Sequence, residues 1–178
     1  RVGFAALWAG VLTALVFELR EIRIVPDDAD TIAAVLRTMS DSVSYVFTSG
    51  GIGPTHDDIT ADAVAQAFGR AIDVDERAVA IMTPYYAGKG LEFTDARKRM
   101  ARIPEGAGLI DNPISMAPGF IVENVHVMAG VPNIFKAMLE NVLPTLRTGV
   151  PVSSRAIASG KPEGKIGSAL GELKKQHP

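Results

Sequence analysis

A chain of 178 residues has room for about one domain, with a core that needs no staples. Its composition, 47% hydrophobic and 21% charged, is that expected of a soluble globular α/β protein, and a net charge of −2 argues against the basic surface that nucleic-acid binding needs. With no cysteine, disulfides and thiolate metal sites are excluded, and the expectation is a reducing, cytoplasmic setting.

Val2 to Phe17 carries no charge over sixteen residues. A membrane-spanning helix needs about 20 apolar residues. A secretory leader needs a more basic start and a small-residue cleavage site. The segment is therefore expected to be a core helix ending near Val16, with Leu7, Val11, Leu12 and Leu15 at helical spacing. Leu19 to Val25 (LREIRIV) alternates apolar and charged residues, which predicts a strand stopped by Pro26. Asp28 or Asp30 can cap the next helix, Asp30 to Ser40, whose stripe is Ile32, Val35, Leu36 and Met39. Val43 to Thr48 is β-branched and aromatic, and predicts a strand. After a glycine-rich loop, Ala63, Val64, Ala67 and Phe68 predict a helix closed near Gly69.

Glu76 to Ala87 reads as a helix interrupted by Pro84. Thr94 to Ala101 reads as a basic helix whose Arg97, Lys98 and Arg99, with Arg102 beyond, form a solvated face. Pro104 to Pro118 reads as loop. Phe120 to Val122 and Val125 to Met128 flank Glu123-Asn124 and predict a hairpin. A helix then opens at Pro132, with an apolar stripe of Ile134, Phe135, Met138, Leu139, Val142 and Leu143, and Pro144 ends it. Past Arg147 comes a connector with a possible strand at Val152 to Ala158, then a helix from Glu163 carrying Ile166, Leu170 and Leu173. Strands alternating with helices predict an α/β fold: a three-layer α/β/α sandwich with a mostly parallel sheet plus a β-hairpin. The expected division is 1–148 for this domain and 149–178 for the start of an α+β extension.

The loop "TSGGIGPTHDDIT" (Thr48–Thr60) sits at the carboxyl end of a strand, where open α/β sheets bind ligands. Gly50, Gly51 and Gly53 permit positive φ and close backbone approach. Their amides, at a helix start, can cradle a phosphate, with Thr48, Ser49 and Thr55 adding hydroxyls. By spacing alone the loop fits either a phosphate cradle or a tight strand-to-helix turn. Asp57 and Asp58 would repel a phosphate unless a divalent ion such as Mg²⁺ joined them to it. The alternative is that Asp58 or Thr60 caps the helix, with Asp62 favourable in its first turn. His56 reads as a residue of the pocket rim and is the only nearby candidate for a general base.

"TSGGIGPTHDDITADAVAQAFG" resembles the signature of the molybdopterin-binding domain superfamily, in the variant found in the N-terminal domain of the competence/damage-inducible protein A family. Leu19–Asp28, Asn112–Phe120, Met128–Leu139 and Glu163–Pro178 are similar to further stretches of that family. The resemblance implies a three-layer α/β fold, often a homo-oligomer, with a pocket over the glycine loop for the phosphate and pterin of molybdopterin or a related nucleotide. By position Gly50, Gly51 and Gly53 correspond to the phosphate loop, Asp58 to the family's acidic residue and Thr60 to its helix-start threonine. Gly130 and Pro132 correspond to a second pocket turn, in which Ala129 replaces a common proline. Larger relatives open with a strand and an acidic loop that residues 1–6 do not resemble. Some carry an amidohydrolase domain for nicotinamide mononucleotide, and that activity is not carried over.

Three expectations follow. The first is a binding domain for a phosphorylated pterin or nucleotide. The second is a metal-dependent pyrophosphatase for ADP-ribose-like substrates, in which Asp58, with Asp57, holds the metal and Asp58 and His56 serve catalysis. The third is a structural segment without activity. None calls for nucleic acid or a membrane.

Overall fold

The computed structural model describes residues 18–147, 160 and 162–176. The chain divides into two compact units, Arg1–Thr148 and Gly149–Pro178. In the first unit the order is α1 (Ala29–Ser42), β1 (Val46–Ser49), α2 (Thr60–Phe68), β2 (Ile72–Val74), α3 (Glu76–Gly88) and α4 (Asp95–Lys98). A 3₁₀ turn (Arg99–Ala101) then leads to β3 (Arg102–Pro104), β4 (Gly108–Ile110), β5 (Gly119–Val122), β6 (Val125–Met128) and α5 (Pro132–Val142). The second unit contributes α6 (Glu163–Gln176), an amphipathic helix with Leu170 and Leu173 exposed. The expected helix before Val16 and the expected strand at 152–158 lie outside the described residues.

Four strands form one sheet in the order β1-β6-β5-β4, and β2 pairs with β3 in a second. β1 runs parallel to β6, with Val46 opposite Val125 and Ser49 opposite Met128. The other ladders among the described residues are antiparallel, so the expected parallel pairing is confined to β1 and β6. The cause lies in the connections: β5 and β6 are a hairpin turning at Glu123 (φ 52°), and a short loop after β4 returns β5 beside it.

Alternation along the strands sorts the core into two layers. Val46, Val125, Val127 and Phe120 face α1, α2 and α3, where they pack with Leu36, Val64 and Met82. Met128 and Ile110 face α5, where they meet Phe135, Met138 and Leu139. β6 is buried at all four positions, because both of its faces are covered. The result is the three-layer α/β/α arrangement with a hairpin. Each fully buried side chain of this size contributes about 1.5–3 kcal/mol.

Capping follows the expected chemistry at α1, where the Asp28 carboxylate accepts from the Thr31 amide. At the hairpin, Asn124 Nδ2 donates to the carbonyls of Ser40 and Val43, tying the turn to the end of α1. Three expectations are corrected. Leu19–Val25 is not a strand: it has no ladder partner among the described residues, and Ile22 and Ile24 are 47% and 59% exposed. Alternation defines a potential apolar face but supplies no partner. Pro84 does not interrupt α3, which runs through it to Gly88. The helix is held at its start by the Asp75 carboxylate, which accepts from the amides of Arg77 and Ala78, and by buried Ala78, Met82 and Tyr86. Two short strands, β3 and β4, also lie at 102–110, where a solvated charge run and loop were expected.

Candidate functional site

β1 and β6 are parallel neighbours, so their carboxyl ends open on the same edge of the sheet. From β1 the chain enters the glycine loop and then α2. From β6 it passes Ala129 and Gly130 into α5, with Pro132 in the first turn. Gly50 and Gly130 pack backbone to backbone, which joins the two turns.

The loop uses its glycines for different reasons. Gly50 and Gly51 have φ of 100° and 72°, a region that side chains rarely adopt. A Cβ on Gly51 would also overlap the Thr60 hydroxyl and lie 2.9 Å from Thr60 Cβ. A Cβ on Gly53 would come within 2.5 Å of Asp58 Oδ2. The Thr60 amide donates to the Gly51 carbonyl at 2.9 Å, closing the loop at its base.

The Gly50 amide donates to the Met128 carbonyl at 2.9 Å, so it extends the β1–β6 ladder instead of facing a ligand. That removes Gly50 from the expected amide cradle. The amides of Gly51, Ile52 and Gly53 make no hydrogen bond among the described residues. Thr48 Oγ1 is buried and likewise has no partner. A backbone shaped by glycine, with free amides, fits an anionic oxygen group such as phosphate.

Neither Asp58 nor Thr60 caps α2. The N-cap is Ile59, which offers no side-chain acceptor; the Thr60 amide is taken by the Gly51 carbonyl, and no side chain caps the amides of Ala61 and Asp62. Asp58 turns back instead. Its Oδ2 accepts from the Thr55 amide at 2.9 Å and the Thr55 hydroxyl at 2.6 Å, and Oδ1 is uncommitted. Thr55 also holds the Asp57 carboxyl below its usual range, together with the Asp57 backbone amide and the charge of His56. One hydroxyl proton serves two carboxylates, and the 2.6 Å contact places it on Asp58.

Gly53 and Asp58 line a cleft with Asp62, Arg99, Arg102 and Phe120. Ser49, His56 and Asp57 are exposed and do not line it, so the structure keeps His56 and Asp57 apart from the Asp58 side of the loop. No group of three or more potential metal ligands occurs among the described residues. Of the carboxylate oxygens lining the cleft, Asp58 Oδ1 is the one without a partner that could meet a Mg²⁺ ion, which is held by one or two carboxylates plus ligand phosphates.

The charge run expected as a solvated face is so only in part: Lys98 is exposed, whereas Arg97, Arg99 and Arg102 are half-buried. Arg102 forms a bidentate pair with Asp62, at 2.9 and 2.6 Å. Arg97 lies over the Tyr86 ring and donates to the Glu92 carbonyl. Arg99 places a buried Nε in the cleft region with no acceptor. The signal was available: Arg99 and Arg102 stand three residues apart and flank Met100-Ala101, an apolar pair that draws this turn against the core.

No helix among the described residues is long and apolar enough to cross a membrane. A protein from Aeropyrum pernix is 34% identical over 183 residues, an alignment covering 97% of this chain and 68% of that protein. One from Pyrobaculum arsenaticum is 35% identical, covering 98% and 69%. The crystal structure of CinA from Thermoplasma acidophilum, described there as having unknown function, superposes with a TM-score of 0.70 at 33% identity, covering 79% of this chain and 85% of that one. Residues 4–148 match the family described as probable molybdopterin binding domain, and the chain belongs to that family.

Proposed function

We propose that this domain binds a phosphorylated pterin or nucleotide in the cleft beside the glycine loop. The observation that carries the reading is the set of free amides at Gly51, Ile52 and Gly53. Successive backbone N–H groups form a concave anion site. The first turn of α2, which has no side-chain cap, adds the positive end of a helix dipole. Gly130 holds the start of α5 against the same loop, so a second helix N-terminus adjoins it. The family supports a pterin as the ligand's aromatic part. No basic groove accompanies a net charge of −2, which supports a small molecule over nucleic acid as partner. A cytoplasmic homo-oligomer is the setting that the lack of cysteine and the family resemblance favour.

The test is an amide-resolved titration of the ¹⁵N-labelled chain with AMP and with a pterin phosphate. The expected result is saturable movement of the Gly51, Ile52 and Gly53 signals. Movement confined to other parts of the chain removes this reading.

A second reading, a divalent-metal-dependent pyrophosphatase for ADP-ribose-like substrates, is favoured by one observation: Asp58 lines the cleft with Oδ1 uncommitted. A bound divalent ion would polarise a phosphoryl oxygen and activate water. Asp58 would hold the ion, and the loop amides would hold the diphosphate. Release of AMP from ADP-ribose in Mg²⁺, abolished by chelator, tests it.

A further inference from the structure

The cleft carries two carboxylates and two guanidinium groups, and they are not equivalently placed. Asp62 has both oxygens engaged by Arg102. Asp58 Oδ2 is engaged by Thr55. Arg99 has no ion-pair partner among the described residues, and its Nε is buried without an acceptor. A buried, unsatisfied donor on a charged group carries a desolvation penalty that no hydrogen bond offsets. Such a group is retained where something outside the chain completes it.

We propose that Arg99 is the charge-selecting residue of this cleft and receives an anionic oxygen of the ligand that the glycine loop holds. The inference rests on the loop reading above. Its physical basis is a charge count. Asp62 and Arg102 cancel, which leaves Asp58 opposing an incoming phosphate. Without Arg99 the cleft is net negative, and amide dipoles alone would have to overcome that. With Arg99 it is neutral before a metal is considered. Guanidinium also matches phosphate geometry, since its planar fork donates in two parallel directions. Phosphate binding therefore does not require a divalent ion.

The experiment uses inorganic phosphate as probe, in chelator, with ¹⁵N-labelled protein. Both the loop amides and the Arg99 Nε–H signal are followed. In the wild type, both sets move along one isotherm. In Arg99→Gln the loop amides require at least ~10-fold more phosphate. Arg99→Lys, which keeps the charge without the fork, falls between the two and serves if the glutamine variant does not fold. The outcomes separate the claims. Loop amides that titrate in Arg99→Gln as in wild type overturn the role of Arg99 and leave the loop reading standing. An Arg99 signal that moves while the loop amides stay still overturns the loop reading and, with it, the shared ligand. No saturable movement of either set in the wild type overturns both. A wild-type Arg99 signal that stays still while Asp58→Asn shifts it shows that Arg99 merely pairs with Asp58, and that too overturns the proposal.

Discussion

Gly50 and Gly130 touch through their backbones: a Cβ on Gly130 would stand 3.1 Å from Gly50 Cα and 3.6 Å from the Gly50 nitrogen. The Gly50 amide is itself the last rung of the β1–β6 ladder, donating to Met128. Any side chain at 130 therefore pushes on the residue from which the glycine loop departs.

Gly130→Ala should displace that loop by a few tenths of an ångström. We expect a stability loss of about 1 kcal/mol, the low end for overpacking. Ligand affinity should fall by ~10-fold or more, because the amides of residues 51 to 53 are re-aimed. Urea melts and an AMP isotherm measure the two quantities. Lowered stability with unchanged affinity would show that the contact serves packing alone.

Gly119 provides the control away from the site. A Cβ there would overlap the Val127 carbonyl and lie 2.5 Å from Met138 Cε. The methionine can swing aside, but the carbonyl belongs to buried β6 and cannot. Gly119→Ala should cost about 2–3 kcal/mol, with the affinity of the remaining folded protein unchanged. A urea midpoint equal to wild type would show that the hairpin relaxes freely.

His126 makes stability depend on pH. It is buried on β6, its ring 5.1 Å from that of Phe47 and 5.9 Å from that of Tyr45. Burial pushes its pKa below the usual 6.5, against smaller upward pulls from backbone carbonyl groups of Asn124 and Val46. Nδ1 lies 3.2 Å from the Asn124 carbonyl, so the neutral ring carries its proton there. Because the folded pKa is the lower one, the unfolded chain binds the proton first. The stability is thus fully present above about pH 6.5 and is lost as pH falls below it, by no more than ~1.4 kcal/mol per pH unit. His126→Phe should flatten this part of the profile. A wild-type urea midpoint that is constant between pH 7.5 and 5.5 would contradict the assignment.

The sequence was most legible where local chemistry and packing agree. Ile32, Leu36, Phe135 and Met138 announce their helices by spacing, and the same residues are buried. Glu123-Asn124 announces its hairpin. Leu19–Val25 misled because a strand is a property of a pair, and periodicity describes one member only. Spacing along the chain offers Asp58 both a cap and a metal-ligand role, because caps are judged by distance in sequence. The carboxylate instead reaches Thr55, a choice fixed by the path of the glycine loop. Arg99 and Arg102 were read as solvated because charge runs commonly are. Their half-burial accompanies the 3₁₀ turn at Arg99–Ala101, which meets α3 and buries Ala101, a tertiary event with little local signal.

Asp58 allows the sharpest separation of roles. Its Oδ2 accepts from the Thr55 amide and hydroxyl, and its side chain fills the space that glycine leaves at position 53. Asparagine has the same shape. Its carbonyl oxygen, in the place of the carboxylate Oδ2, can accept from both the Thr55 amide and the Thr55 hydroxyl, with Nδ2 in the place of the uncommitted oxygen, so the turn survives. Asp58→Asn should therefore leave the Tm of the ligand-free protein within a few degrees of wild type, as a change below ~1 kcal/mol would. Its effect on ligand then reports charge. Without metal, removing a carboxylate that faces a phosphate should tighten phosphate binding, since Arg99 is left unopposed. With Mg²⁺, the loss of a carboxylate ligand should weaken metal-dependent binding at least ~10-fold, about 1.4 kcal/mol. Asp57→Asn should do neither, because Asp57 is exposed and does not line the cleft. Titrations of ADP-ribose into wild type and both variants, in Mg²⁺ and in chelator, read all of these signs. If Asp58→Asn binds as wild type does in Mg²⁺, the carboxylate serves only to shape the loop, and the pyrophosphatase reading falls with it.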